Sequence, residues 1–142
     1  MHKHDKRMLM TAVVWSTASY AKRKQVGCVI AKDARPIAVG YNGTLPGLPN
    51  ECEGDDGETL PEVMHAEQNA LMFAAKNGLS TDGCTAYLTL SPCVSCAKML
   101  VAAGITRVVF SRYHSCQAGL DLLERCGVHT DYISEEEMIH EH

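Results

Sequence analysis

Four residues in the middle of the chain have the types and the spacing of a catalytic metal site. His65 stands two residues before Glu67, and Cys93 and Cys96 follow in a Pro-Cys-x-x-Cys segment. Zinc in proteins is bound tetrahedrally by imidazole nitrogens and thiolate sulfurs, and a set of three protein ligands leaves one position open. We therefore expect His65, Cys93 and Cys96 to bind a catalytic Zn²⁺, which leaves Glu67 free to move protons.

The spacing within each pair restricts where these residues sit on their helices. Cys93 and Cys96 are three apart, so both sulfurs lie on one face of a helix if Pro92 takes its first position. Residues two apart on a regular helix point away from each other, so His65 and Glu67 must lie in an opening turn. The zinc site is thus expected between two helix N-termini, whose partial positive charge favours a bound anion.

Composition favours a small-molecule enzyme over a nucleic-acid or membrane protein. A chain of 142 residues, 46% apolar and 21% charged, fits one globular domain spanning residues 1–142. The formal charge of −4 offers no large basic face for a polynucleotide, whereas a small anionic substrate needs only a local patch. No apolar run approaches the ~20 residues of a membrane span, and the first residues lack a signal-peptide core, so we expect a cytoplasmic protein.

Hydrophobic periodicity predicts an α/β sandwich with one sheet. The predicted strands are residues 26–31, 37–41, 85–90, 106–110 and 129–133. The predicted helices are residues 6–20, 65–77, 92–103 and 120–126, with a short terminal helix that Ser134 caps and that runs to His142. The first two strands form an antiparallel hairpin, and the later alternation of strand and helix indicates parallel pairing, with the metal residues at the C-terminal ends of strands.

Residues 44–61 form a long loop without periodicity, rich in glycine, proline and acids. Such loops inside a compact domain are usually functional or mobile. Its acids either help to hold a divalent cation or keep the loop soluble, and we favour solubility. Cys52 within it has no CxxC or HxxxH partner, so a second metal site is the weaker interpretation. Cys28 and Cys84 are expected to be small buried hydrophobes.

Other candidate contacts lie near strand ends. The basic triplet at residues 22–24 leads into the first strand and is either a solvated turn or a phosphate-binding site. Residues 40–43, Gly-Tyr-Asn-Gly, mark either a turn or a close backbone approach. Tyr113 and His114 follow the fourth strand at the same edge of the sheet, where they either line the pocket or lie on the surface.

These residues resemble the cytidine deaminase superfamily and, within it, the deoxycytidylate (dCMP) deaminases. The matching segments are Gly-Tyr-Asn-Gly at 40–43, His-Ala-Glu-Gln-Asn-Ala at 65–70 and Ser-Pro-Cys-Val-Ser-Cys-Ala-Lys at 91–98. A His-x-Glu followed by Pro-Cys-x-x-Cys is the signature of zinc nucleobase deaminases. The resemblance implies a three-layer α/β/α cytidine-deaminase-like sandwich with one mixed five-stranded sheet.

The resemblance also implies an activity and residue roles. The activity is hydrolytic deamination of dCMP to dUMP, which supplies dUMP for dTMP synthesis, with Glu67 as the proton shuttle beside the zinc ligands. The implied substrate contacts are Asn42 to the sugar 3′-hydroxyl, the Ala66 amide and the Ser91 carbonyl to the base edge, and Tyr113 to the base or the phosphate.

Members of this family are often homohexamers that dCTP activates and dTTP inhibits, with Mg²⁺ on the triphosphate. The resemblance places an effector or phosphate site beside the Gly-Tyr-Asn-Gly loop and the basic triplet. Its candidate residues are Lys22, Arg23, Lys24 and Gly43. Some relatives carry a second, structural zinc in a longer insert, but Cys52 is the only cysteine in the insert of this chain.

Two other interpretations are open at this point. One is a different zinc deaminase, acting on tRNA adenosine or on single-stranded DNA, which the negative charge disfavours. The other is a structural zinc module in which Cys84, Cys116 or His114 supplies a fourth ligand and closes the site. A structural site has no use for Glu67, so we favour the enzyme.

Overall fold

A computed structural model describes residues 2–140 and contains seven strands and five helices over that range. The strands are β1 (Gly27–Lys32), β2 (Arg35–Tyr41), β3 (Gly43–Thr44), β4 (Val63–Met64), β5 (Thr85–Leu88), β6 (Arg107–Phe110) and β7 (His129–Tyr132). The helices are α1 (Asp5–Ser16), α2 (Ala66–Lys76), α3 (Val94–Ala102), α4 (Ala118–Arg125) and α5 (Glu135–His140). In the described range, no helix is long and apolar enough to cross a membrane.

The main sheet has the order β2-β1-β5-β6-β7 and is mixed. β1 pairs antiparallel with β2 and with β5, whereas β5, β6 and β7 run parallel. Asp33 and Ala34 connect the hairpin with φ angles of 50° and 62°, as in a type I′ turn, whose twist matches that of the flanking strands. The predicted five-stranded sheet, antiparallel first and parallel later, is confirmed.

Helices cover both faces of this sheet and complete the three predicted layers. One apolar cluster joins α1 and α5 to the sheet, and includes Met8, Leu9, Val29, Val109 and Met138. The other joins α2, α3 and α4 to the opposite face, and includes Leu71, Leu88, Leu100, Val108 and Leu123. Burying one such aliphatic side chain contributes about 1.5–3 kcal/mol, so the two clusters together hold the layers in place.

Several elements are shorter than the sequence pattern predicts. α1 ends at Ser16 rather than Tyr20, where the hydroxyls of Ser16 and Thr17 bond the preceding turn and compete with helix propagation. The predicted cap of α5 is confirmed, since the Glu137 N–H donates to the Ser134 hydroxyl at 3.1 Å. The predicted continuation of that helix through residues 141–142 lies outside the described residues.

A buried ion pair ties the α1 layer to the sheet. Arg107 on β6 donates to both carboxylate oxygens of Asp5, at 2.9 and 2.7 Å, and the Tyr87 hydroxyl donates to the same carboxylate at 2.8 Å. Arg107 also donates to Asp131 on β7. Burial raises the pKa of Asp5, but hydrogen bonds from Arg107, the His2 amide and Tyr87 outweigh that effect and hold the pKa at about 2. Three strands and one helix therefore depend on one guanidinium.

Replacing Arg107 with Met should lower the free energy of unfolding by about 3 kcal/mol or more, because it leaves a buried carboxylate without its cation. Urea unfolding followed by circular dichroism measures this. Arg112→Met is the matched control, since Arg112 pairs with Glu135 at the surface, where such pairs contribute less than about 1 kcal/mol. Equal losses in the two variants would contradict a special role for the buried pair.

Acid should weaken the fold over a defined pH range. The pKa of Asp5 is about 2 in the folded chain against an ordinary 3.8, so the unfolded chain takes up the proton first. The stabilisation is fully present above about pH 4 and is lost as the pH falls towards 2. The measurement is the unfolding free energy against pH, and the Asp5→Asn variant should show a smaller loss across the same range.

Candidate active site

Two helix N-termini meet at the C-terminal edge of the parallel strands. His65 is the N-cap of α2, with ψ of 159°, and Glu67 is the second residue of that helix, as the spacing predicts. Cys93 is the N-cap of α3, with ψ of 171°, and Cys96 is its third residue. Side chains at the N-cap and third positions of a helix face each other, so the two sulfurs converge. The prediction that Pro92 opens this helix is wrong, because Pro92 precedes the cap.

Glycines allow these two N-termini to approach their neighbours. A Cβ atom at Gly40 on β2 would lie 2.4 Å from the Ala66 carbonyl oxygen, and one at Gly119 on α4 would lie 2.0 Å from the Pro92 carbonyl oxygen. Both distances are far below van der Waals contact. Gly40 is therefore a close backbone approach rather than a turn residue, and Gly119 is a requirement that the sequence pattern did not indicate.

The predicted ligand atoms form one group. The Nδ1 atom of His65 lies 3.2 Å from the sulfur of Cys96 and 3.7 Å from that of Cys93, and the three ligand atoms lie within 4.8 Å of one another. A tetrahedral zinc with ordinary Zn–N and Zn–S bonds requires separations of roughly 3.5–4 Å between its ligands. The residues present therefore fit zinc.

The group is open rather than closed. Among the described residues no fourth His, Cys, Asp or Glu joins it. Cys84 is buried in the core and Cys116 is exposed, while the His114 Nδ1 atom accepts a hydrogen bond from the Cys116 N–H at 3.0 Å. None of the three proposed fourth ligands completes the set, so the arrangement does not support a structural zinc module.

Charge at the cluster suits both metal binding and proton transfer. Hydrogen bonds from the Cys96 thiol and from His65 hold the pKa of Cys93 far below its ordinary value, so Cys93 is a thiolate at neutral pH. Glu67 is 4% exposed, and burial raises the pKa of its carboxyl above the ordinary 4.5. A raised pKa brings a carboxyl closer to the range in which it both accepts and returns a proton.

A cavity of about 220 Å³ opens beside this cluster. Its lining contains three residues of the metal and proton-transfer group, His65, Glu67 and Cys93. It also contains five residues predicted to contact a substrate or its phosphate: Arg23, Lys24, Asn42, Ala66 and Ser91. His114, a candidate for lining the pocket, lies in this lining as well. The structure thus brings two of the three proposed zinc ligands, Glu67 and two cations to one cavity.

Asn42 has a second task in this arrangement. Its side-chain oxygen accepts the Val26 N–H at 2.8 Å, and its amide nitrogen donates to the Lys24 carbonyl oxygen at 2.8 Å. A side-chain amide has two N–H groups and two acceptor positions. One donor and one acceptor position therefore remain after Asn42 has bonded the segment that carries the basic triplet.

Tyr113, Lys22 and Gly43 are not among the residues that line the cavity. The Tyr113 ring packs against Phe110 and Tyr132, with ring centroids 4.9 and 4.8 Å apart, and is half exposed. This arrangement does not place Tyr113 beside a base or a phosphate, and its predicted role stays a prediction. Gly43 lies in β3.

The acidic loop supplies three cavity residues that sequence reasoning did not assign to a pocket, namely Cys52, Glu53 and Thr59, and β4 supplies Val63. Cys52 is 2% exposed, and the carboxylate of Glu53 accepts hydrogen bonds from the backbone of the basic triplet. Solubility alone, the interpretation favoured for these acids, is therefore wrong for Glu53. β3 and β4, at the two ends of this loop, pair with each other, and a β-bridge joins Glu53 to Thr59. The loop is therefore more ordered than its composition indicates.

An α/β sandwich with an open His-Cys-Cys group beside a buried glutamate is typical of zinc nucleobase deaminases. A family model described as the cytidine and deoxycytidylate deaminase zinc-binding region matches residues 1–112. The chain therefore belongs to the cytidine and deoxycytidylate deaminase family and carries its zinc-binding region.

Individual relatives agree with this assignment. The chain is 35% identical over 127 residues to ComE operon protein 2 of Bacillus subtilis, covering 85% of this chain and 66% of that protein. It is 31% identical over 134 residues to the deoxycytidylate deaminase of Saccharomyces cerevisiae, covering 87% and 43%. It thus spans less than two thirds of the length of these two relatives.

A solved structure matches over almost the full length of both chains. It is the crystal structure of dCMP deaminase from the cyanophage S-TIM5 in complex with dCMP and dUMP. The TM-score is 0.90 and the sequence identity 38%, covering 94% of this chain and 99% of that chain. The fold described above is therefore the fold of that deaminase.

Losing a residue that only supports a metal ligand lowers metal affinity roughly 10–100-fold. Replacing Cys96 with Ser removes a proposed ligand itself, so zinc affinity should fall by more than that. The measurement is metal content by mass spectrometry after dialysis against graded chelator. Cys126→Ser is the matched control, since Cys126 is exposed and outside the cluster. Retention of one zinc per chain by the Cys96 variant at all chelator concentrations would contradict the ligand set.

Proposed function

We propose that this protein catalyses the hydrolytic deamination of dCMP to dUMP and ammonia. The observation that carries the proposal is the composition of the cavity, where His65, Cys93 and Glu67 share a lining with Arg23 and Lys24. The zinc-binding residues and Glu67 suit deamination of a nucleobase. The two cations suit binding of a 5′-phosphate. Two proteins named as deoxycytidylate or dCMP deaminases are among the relatives reported above, and the one with a solved structure was crystallised with dCMP and dUMP.

Proton transfer is assigned to Glu67. When bound at His65, Cys93 and Cys96, zinc supplies Lewis-acid activation of a water molecule. The carboxylate of Glu67 takes a proton from the water that adds to C4, and passes a proton to N3 of the pyrimidine. It then takes the proton of the hydroxyl now carried by C4 and delivers it to the amino group. The bond from C4 to that nitrogen breaks as the C4 carbonyl forms, so dCMP and water give dUMP and ammonia.

The first turn of α2 and the residues around Ser91 are assigned to the base. Backbone N–H groups in the first turn of a helix lack intrahelical acceptors, so the Ala66 amide is suited to bind an acceptor atom of the pyrimidine. The Ser91 hydroxyl is already used, since it accepts the His114 N–H at 2.8 Å. This bond fixes the segment whose carbonyl is assigned to the exocyclic amino group.

The sugar and the phosphate are assigned to other residues of the lining. Asn42 has a donor and an acceptor position left for the 3′-hydroxyl, and its bonds to residues 24 and 26 hold it in place. Arg23 and Lys24 are assigned to the 5′-phosphate, for which an arginine offers two parallel N–H donors. Lys22 contributes charge near this position without lining the cavity.

Regulation and assembly are proposed on the family resemblance alone. By that resemblance the protein is a homohexamer, activated by dCTP and inhibited by dTTP bound with Mg²⁺ near Gly43, and its dUMP is used for dTMP synthesis. Assays of dCMP turnover with and without each triphosphate test the regulation, and light scattering tests the assembly.

Substitution of Glu67 by Gln should leave zinc bound and lower the rate constant kcat by at least about a hundredfold, since a general acid–base contributes about 10²–10⁴-fold. The loss of ultraviolet absorbance as dCMP becomes dUMP measures turnover, and metal analysis measures zinc. Appreciable dCMP turnover by a zinc-loaded Glu67→Gln protein would show that another group moves the protons.

The substrate assignment is tested with dCMP, deoxycytidine, guanine and a tRNA stem-loop assayed side by side. We expect the highest kcat/KM with dCMP. Among the four compounds, only dCMP combines a cytosine for the metal group with a terminal 5′-phosphate for the two cations. The highest kcat/KM with the stem-loop or with guanine would assign the chain to another branch of the deaminases.

A further inference from the structure

The basic triplet is held in place by an acid that lies about 30 residues further along the chain. One carboxylate oxygen of Glu53 accepts the backbone N–H groups of Lys22 and Arg23, at 3.0 and 3.2 Å, and its other oxygen lies 3.2 Å from the Lys22 nitrogen. Successive N–H groups in a turn form a concave site for an anion. In this protein a side chain of the chain itself occupies that site.

The base of Glu53 is itself fixed by backbone hydrogen bonds. The Leu60 N–H donates to the Cys52 carbonyl oxygen at 2.7 Å, and the Gly54 N–H donates to that of Glu58 at 2.8 Å. A β-bridge joins Glu53 to Thr59, and Cys52 is buried. The carboxylate therefore projects from an ordered turn.

The basic triplet is held from a second side as well. Asn42 donates to the Lys24 carbonyl oxygen and accepts the Val26 N–H, both at 2.8 Å. Glu53 binds the first two residues of the triplet and Asn42 binds its last residue, so the backbone between them has little freedom. Arg23 and Lys24, which line the cavity, are carried by this fixed segment.

Preorganised groups bind a ligand more tightly because the entropy of ordering them is lost on folding rather than on binding. We propose that Glu53 is a positioning residue for the nucleotide phosphate: it fixes the turn that presents Arg23 and Lys24, and so favours nucleotides over nucleosides. This inference rests on the proposed function, since it assigns Arg23 and Lys24 to the 5′-phosphate of dCMP. We assign Glu53 no part in the chemical step itself.

The test compares Glu53→Gln with a matched control in the same loop. Glutamine keeps the size of the side chain but removes the charge that binds the two N–H groups. Glu51→Gln removes the same charge two residues away, from an exposed side chain that makes no hydrogen bond or ion pair with residues 2–140. Any long-range effect of charge on an anionic substrate is common to both variants.

The readout is a ratio, kcat/KM for dCMP divided by kcat/KM for deoxycytidine, which has no phosphate. Hydrogen bonds to a charged group are worth about 1.5–3 kcal/mol, so we expect the ratio to fall roughly tenfold or more in Glu53→Gln. Most of the change should lie in KM for dCMP. The ratio in Glu51→Gln should stay within about twofold of wild type, the range of a weak surface effect.

A binding measurement provides the same comparison without turnover. Calorimetry with dUMP and with deoxyuridine should show a fall of similar size in the affinity for dUMP relative to deoxyuridine. In a background with both Arg23→Gln and Lys24→Gln, the further change to Glu53→Gln should alter dUMP affinity by less than about twofold, because coupled residues are not additive.

Thermal melting and zinc content verify that each variant folds. Glu53→Asp, which keeps the charge but shortens the side chain, should lower the ratio in the same direction.

Three results would overturn the proposal. Equal losses for dCMP and deoxycytidine would mean that Glu53 only supports the fold. A ratio matching that of Glu51→Gln would mean that its bonds do not matter for phosphate. A rise in the ratio would mean that the carboxylate occupies the place of the phosphate. Absence of dCMP turnover in the wild-type protein is a different result, which would overturn the proposed function itself.

Discussion

Two helices begin at the same point, and the site depends on that coincidence. His65 and Cys93 are both N-cap residues, in extended backbone, from which the chain turns into α2 and α3. An N-cap side chain points across the end of its helix rather than along its flank. This geometry lets Cys93 and Cys96 face one position from a single turn, while Glu67 is buried next to them. A shift of either helix start by one residue would separate the donors.

Distant parts of the chain are joined at the cavity by hydrogen bonds from side chains to the main chain, and not by apolar packing alone. Asn42 follows β2 and bonds the turn before β1, and Glu53 bonds the same turn from the acidic loop. The hairpin β1–β2 therefore contributes one edge of the sheet and one end of the cavity. A rigid sheet with functional residues in the connections at its edge is the usual arrangement in such folds.

The parts of this molecule that the sequence predicts are those that depend on local pattern. The five strands and the opening-turn position of His65 and Glu67 follow from periodicity and from helix geometry, and the ligand set follows from residue type and spacing. The Asp5–Arg107 pair, the Glu53 contacts and the need for Gly119 join residues that are far apart in the chain, and no local pattern indicates them. The predicted start of α3 at Pro92 is wrong. Proline favours the first position of a helix, but in this chain the helix begins only after the N-cap at Cys93.

The close contact at Gly119 bears on which part of the chain is needed to build a working centre. The family region ends at residue 112, yet α4 lies beyond it and rests directly on the backbone of Pro92 and Cys93. A fragment cut at residue 112 would lack that support and would expose the apolar side of α3 to water. We therefore expect the smallest part of this chain that folds on its own to extend through α4, past residue 112, where the match to the family model ends.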